Sequence, residues 1–252
     1  MKRIILVAIS AFLFVLTGCD KKENENGSTN KYAVALEKVN NVLKTNEGDK
    51  KTSLQDVNNS YVEITDDNSV KSARSMVYYL ELLYKNDKFP NTDKPVSFKG
   101  DYIKDGKVLQ ENDMTMLAKT NDKNLISFDA YGTSSNSTQD SNSTQEEYFY
   151  LKLDVVFNFE TDDLVSFHLY IASLDSNNEL ADVWISHRYD GVKLYEFRTE
   201  DSSIKSELVN YLNDNYWGEF KSQLPNAITA EGNFAAEYTK ATDDVFGEGY
   251  FN

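Results

Sequence analysis

The chain has 252 residues, and its 14 Phe, 16 Tyr and 2 Trp supply bulk for a sizeable core in one domain. Its 41 acidic against 26 basic side chains give a formal net charge of −15. That sign excludes nucleic acid, whose phosphates require stripes of Lys and Arg, and opposes adsorption to anionic lipid. A single cysteine, Cys19, excludes an internal disulfide, a cysteine-bound zinc and an iron–sulfur cluster.

The N-terminus has the pattern of a secretory signal. Lys2 and Arg3 form a positive start, Ile4 to Leu16 are apolar except for Ser10, and small residues follow. A spanning helix needs roughly 20 apolar residues, so this run is too short for a permanent span. Leu16-Thr17-Gly18-Cys19 resembles the lipobox of bacterial lipoproteins. The resemblance implies a signal peptide over 1–18, cleavage before Cys19, and diacylglyceryl and fatty acyl groups (palmitate among them) on its thiol. The protein is then expected at the cell membrane, lipid-anchored on the extracytoplasmic face. Stable anchoring takes two or more acyl chains, because one holds only marginally. Loss of 1–18 removes Lys2 and Arg3, leaving 24 basic against 41 acidic side chains, a net charge of −17. Asp20 to Asn30 offers no apolar residue that would favour ordering, so 19–30 reads as a disordered tether.

Residues 31–252 read as one α+β domain, an antiparallel meander sheet flanked by N-terminal and C-terminal amphipathic helices. Tyr32, Ala35, Leu36, Val39 and Leu43 fall at helical spacing over Lys31 to Lys44. Met76, Val77, Leu80 and Leu83 do the same within Ser69 to Tyr84. From Val96 to Phe197 the period becomes two. Strands are expected at Val96–Lys104, Met114–Thr120, Asn124–Tyr131, Tyr148–Phe159, Leu164–Ala172, Ala181–Tyr189 and Val192–Phe197, a sheet of six or seven. Asp190-Gly191 is a two-residue hairpin signal. Two Asn-Ser-Thr-Gln copies between Asn136 and Glu146 read as a loop that tolerates change. Ile204, Leu208, Leu212, Tyr216 and Phe220 then predict a helix capped by Asp201 or Ser202 and stopped near Pro225. A short helix through Phe234, Ala235 and Tyr238 is expected after it.

The residues that carry chemistry are few. His168 and His187 are expected on opposite faces of the sheet, with His168 opposite Trp184 and His187 opposite Val165, so they do not share a metal or relay a proton. No G-x-S-x-G and no H-E-x-x-H occurs, and no catalytic residue, metal ligand or cofactor is assigned. Asp175 to Glu179 starts like an EF-hand, but Leu180 and Ser186 stand where that loop needs Gly and Glu. The second face of the sheet is aromatic. With Asp190-Gly191 as the turn, Trp184 pairs with Phe197 and Ser186 with Tyr195, and His168, Tyr170, Tyr148 and Tyr150 join them around Asp154, Asp182 and Arg188. Trp184, His168, Tyr170, Tyr195 and Phe197 are the candidate ligand-binding residues, suited to stacking on a sugar or lining an apolar cleft. The bland alternative is that these rings pack under helices, since strands favour aromatic residues.

The expectation is therefore a non-catalytic envelope protein that takes a glycan, an apolar ligand or a protein partner. The alternatives are a carrier with an apolar cavity between sheet and helices, and an extracellular hydrolase built on two of the many carboxylates. The element order looks somewhat like that of half-barrel lipid-carrier lipoproteins, without motif residues behind the likeness.

Overall fold

A computed structural model describes residues 30–47, 61–63, 67–122, 124–136, 145–199 and 201–248. The lipobox with Cys19, the tether up to Thr29 and the middle of the duplicated Asn-Ser-Thr-Gln stretch lie outside these residues.

Two helices come first, α1 (Lys31–Thr45) and α2 (Asp67–Lys85), with the short strand β1 (Tyr61–Glu63) between them. Asn30 caps α1: its Oδ1 accepts from the Tyr32 amide at 3.0 Å and its Nδ2 donates to the Tyr84 carbonyl. Strands β2 (Val96–Lys99), β3 (Tyr102–Lys104), β4 (Lys107–Asp122), β5 (Leu125–Asn136), β6 (Gln145–Asn158), β7 (Asp163–Leu174), β8 (Leu180–Tyr189) and β9 (Leu194–Phe197) follow. The C-terminal part holds α3 (Ser202–Leu212), a π-helical turn (Asn213–Trp217), α4 (Gly218–Gln223), β10 (Ile228–Thr229) and α5 (Ala235–Phe246).

All ten strands join one sheet in the order β1-β9-β8-β7-β6-β5-β4-β2-β10, with β3 paired to β4. The class is α+β, as the patterning predicts, but the count exceeds the six or seven strands expected. β1, β3 and β10 are only two or three residues long, too short to show a period. Every pairing is antiparallel except that of β10 with β2.

Alternation sends Leu151, Leu153, Val155 and Phe157 of β6 to the front face, where they share a core with Leu36, Val39 and Leu43 of α1 and Leu80 and Leu83 of α2. Each is fully buried, and each such side chain contributes about 1.5–3 kcal/mol of transfer free energy. The rings of Phe89, Phe98 and Phe234 meet edge to face at 5.2–5.7 Å and seat the start of α5 in this layer. Tyr79 is fully buried beside Gly100, where any Cβ would collide with the phenol. Its Oη has no hydrogen-bond partner among the described residues. The back face carries a smaller core, in which Tyr150, Tyr170 and Leu180 lie under Leu212, Trp217 and Phe220 of the α3–α4 segment. Both faces are thus covered in part.

One turn differs from expectation. Asp190-Gly191 does not close a two-residue hairpin: Tyr189 pairs with Leu194 around a four-residue loop. The Asp190 carboxylate accepts the amides of Val192 and Lys193 at 2.9 and 2.8 Å, an Asx arrangement that widens the turn. The two-residue turn is Asp105-Gly106, with φ of 51° and 75° and Lys104 opposite Lys107. The shift moves partners by two residues and so keeps every side chain on its face. Tyr195 consequently stands opposite Arg188, not Ser186, and Phe197 pairs with Tyr61 of β1, not Trp184. The β6–β7 and β7–β8 registers also depart from expectation, so neither histidine meets the partner predicted for it. His168 lies between Asp154 and Arg188, and His187 lies opposite Leu169.

Candidate functional site

Two polar rows cross the back face where its strands are longest. One runs Lys119, Ser127, Asp154, His168, Arg188 and Tyr195 from β4 to β9. The adjacent row runs Leu117, Asp129, Lys152, Tyr170 and Ser186. Cross-strand partners lie within about 4.5–5.5 Å, so hairpin register alone brings Asp129 to Lys152 and Ser127 to Asp154.

At the centre Lys152 is 5% exposed. Its Nζ lies 3.0 Å from Asp129 Oδ2 and 3.3 Å from Asp154 Oδ1, and sits 5.0 Å from the centre of the Tyr216 ring. The ammonium group thus donates to Asp129 and lies against the Asp154 carboxylate and the Tyr216 ring. The Tyr150 hydroxyl donates to Asp129 Oδ1 at 2.5 Å, and Ser127 Oγ donates to Asp154 Oδ1 at 2.6 Å. Burial pushes the Asp129 carboxyl above its ordinary range, against the opposing pull of Lys152 and the Tyr150 hydroxyl. Burial, and then the Asp129 charge, hold the Tyr150 phenol well above its usual value. The Tyr216 phenol is raised by burial and by its bond to Tyr211.

Above this cluster the α3–α4 segment leaves an open cleft of about 350 Å³, floored by Ser127, Asp129, Lys152 and Asp154 and roofed by Asn215 and Tyr216. Lys119 and Glu219 form a 3.5 Å ion pair beside it. The roof owes its shape to the π turn, which inserts one residue into the helix and turns Tyr216 and Trp217 toward the sheet. Such turns are rare and recur at functional sites. The β7–β8 turn holds the roof down. The Asn178 carbonyl accepts from Trp217 Nε1 at 3.0 Å and from Lys221 Nζ at 2.8 Å, and Lys221 also pairs with Glu179. Asp175, which opened the apparent EF-hand, accepts instead the amides of Asn177 and Glu179 within its own turn.

The five aromatic and histidine candidates do not converge. His168 and Tyr170 are neighbours, with ring centres 6.3 Å apart, and Tyr195 stands at the far end of the His168 row. Tyr170 is buried beneath the roof. Phe197 packs edge to face on Tyr61 at 5.5 Å. Trp184 is the extra residue of the bulge between Ile185 and Val183, which leaves it opposite no β7 residue and 52% exposed. His187 is buried on the front face with Nε2 3.3 Å from Ser69 Oγ.

Ser127, Asp129, Lys152 and Tyr216 escaped the sequence reading. A lysine and an aspartate two residues apart in the most apolar strand were the available signal. Their partners in β5 were hidden by the long loop that sets the β5–β6 register. Chemically the cluster is built to hold charge in place. Both oxygens of Asp129 accept a hydrogen bond, one from the Tyr150 hydroxyl and one from Lys152, and that lysine separates the two carboxylates where a glycosidase needs the sugar. Asp154 lines the cleft, and its Oδ2 has no partner among the described residues. Family models, curated proteins and solved structures were compared with the chain, and none matches it.

Proposed function

We propose that this protein is a lipid-anchored envelope protein on the extracytoplasmic face of the cell membrane, binding a small polar ligand without catalysis in the cleft under the π turn. The observation that carries the reading is the Asp129–Lys152–Asp154 cluster on the cleft floor, with Asp129 and Lys152 buried and Asp154 partly exposed. Removing such charges from water costs several kcal/mol per ion, and apolar side chains of similar volume usually serve a fold as well or better. A charged floor that stability does not require fits recognition. Filling of the front layer by fully buried side chains argues for a polar ligand over an apolar cargo there. Anchoring rests on Leu16-Thr17-Gly18-Cys19 and the apolar run before it.

Native mass spectrometry of the full-length chain tests the cleft. A non-covalent adduct on the wild type that Asp154→Asn loses is expected, and identical spectra for the two would overturn the reading. For the anchor, a clickable fatty-acid analogue should label the wild type and not Cys19→Ala, whereas equal labelling would refute lipidation at that residue.

A further inference from the structure

Resting on that binding role, we infer that the ligand is a neutral saccharide, either free or the terminal ring of a longer glycan. Five charged side chains line the cleft, and they are already paired with one another: Lys152 with Asp129 and Asp154, Lys119 with Glu219. A cationic ligand would have to displace an ammonium group from its carboxylate, and an anionic one would face three carboxylates. A hydroxyl meets neither obstacle. It donates to a carboxylate and accepts from an ammonium or amide at the same time, and charge-assisted bonds of this kind are the stronger ones. Floor and roof offer both functions. Asp154 Oδ2 is open to a donor, the Asn215 and Gln223 amide oxygens offer acceptors while their nitrogens already donate to the Tyr211 and Glu219 carbonyls, and the Lys119–Glu219 pair adds one charge of each sign.

The apolar side is supplied by Leu125 and Phe220, which offer a surface for the C–H face of a pyranose. A volume of about 350 Å³ stands near the lower end of the roughly 300–1,000 Å³ usual for small-molecule sites, which suits one or two rings. Because the cleft is open on one side, further rings would extend into solvent.

The test uses a built-in reporter. Trp217 is buried in the roof, 5.0 Å from Tyr150, and Trp184 is the only other tryptophan. Full-length Trp184→Phe protein is titrated with neutral mono- and disaccharides, a diamine and a dicarboxylate while Trp217 emission is followed. A saturable change with saccharides alone is expected, weakened roughly tenfold or more by Asp154→Asn through loss of a charge-assisted bond. Glu219→Gln, at an exposed position where folding is not at stake, should weaken it as well, and Asp182→Asn outside the cleft should not. Co-sedimentation with an insoluble polysaccharide separates the sources: retention that free disaccharide competes away marks a glycan terminus, and its absence beside tight disaccharide binding marks a free sugar. Response to the diamine or dicarboxylate but to no saccharide overturns this inference and leaves the binding cleft standing. No response to any class, with no adduct sensitive to Asp154→Asn, overturns both.

Discussion

Tyr79 buries a hydroxyl that meets no hydrogen-bond partner among the described residues, an arrangement that costs about 1–3 kcal/mol. Tyr79→Phe is therefore expected to stabilise the protein by roughly 1 kcal/mol, seen as a higher urea midpoint at unchanged slope; a lower midpoint would mean that Oη is bonded. His168 permits a pH prediction. Burial, and then the Arg188 charge, lower its pKa, and Asp154 only partly offsets them. The unfolded chain, with an imidazole pKa of about 6.5, thus binds more protons than the folded one just below that value. Stability attributable to this group is complete above that pH and declines as pH falls toward the depressed folded value. His168→Gln should flatten the melting-temperature profile between neutral and mildly acid pH, and an unchanged slope would remove His168 as its source. At this scale the sequence was legible where a residue acts through its neighbours in the chain, as Asp201 does at the start of α3, although Asn30, read as the end of the tether, caps α1 instead. It was silent where a residue acts across strands. Lys152 looks like any solvated lysine until Asp129 and Asp154 are placed beside it.

The elements show the same division. Both long N-terminal helices were readable because α1 and α2 carry one continuous apolar face, and Leu36, Val39, Leu80 and Leu83 all reach the core. The two Asp-Gly pairs were not separable by composition. What distinguishes them is that Asp190 turns its carboxylate onto the two amides ahead, while Asp105 adopts positive φ. The π turn was likewise invisible, since Ile204 to Phe220 keep a helical spacing that one inserted residue barely disturbs. Its role is open to a direct test. Deleting Asn215 should restore an α-helical register and rotate the residues after it by about 100°. Trp217 would then leave Tyr150 and lose the Asn178 carbonyl. In a Trp184→Phe background the expected result is red-shifted emission with the far-ultraviolet signal of the front core retained. A variant that keeps the buried emission would show that the π turn does not seat this ring.

For the whole molecule, the sheet divides labour between its faces. The front, under α1, α2 and α5, holds the large apolar core, and the back carries the polar rows under the α3–α4 segment. Surface charge acts over the entire body. With 41 acidic side chains against 24 basic once residues 1–19 are removed, a chain beginning at Asp20 should fail to sediment with anionic vesicles even at low salt, where attraction would be strongest; sedimentation there would reveal a basic or apolar patch that outweighs the net charge. The position of Asn30 has a mechanical consequence. This residue is where α1 begins, and it is bonded to the Tyr84 carbonyl near the end of α2. A pull arriving from the N-terminal side therefore enters the helical layer and is shared between two helices before it reaches the sheet. Asp129, Lys152 and Asp154 lie on the far side of that sheet. Under the proposed anchoring and binding roles, tension on the N-terminal side would strain the helices before it reached the cleft.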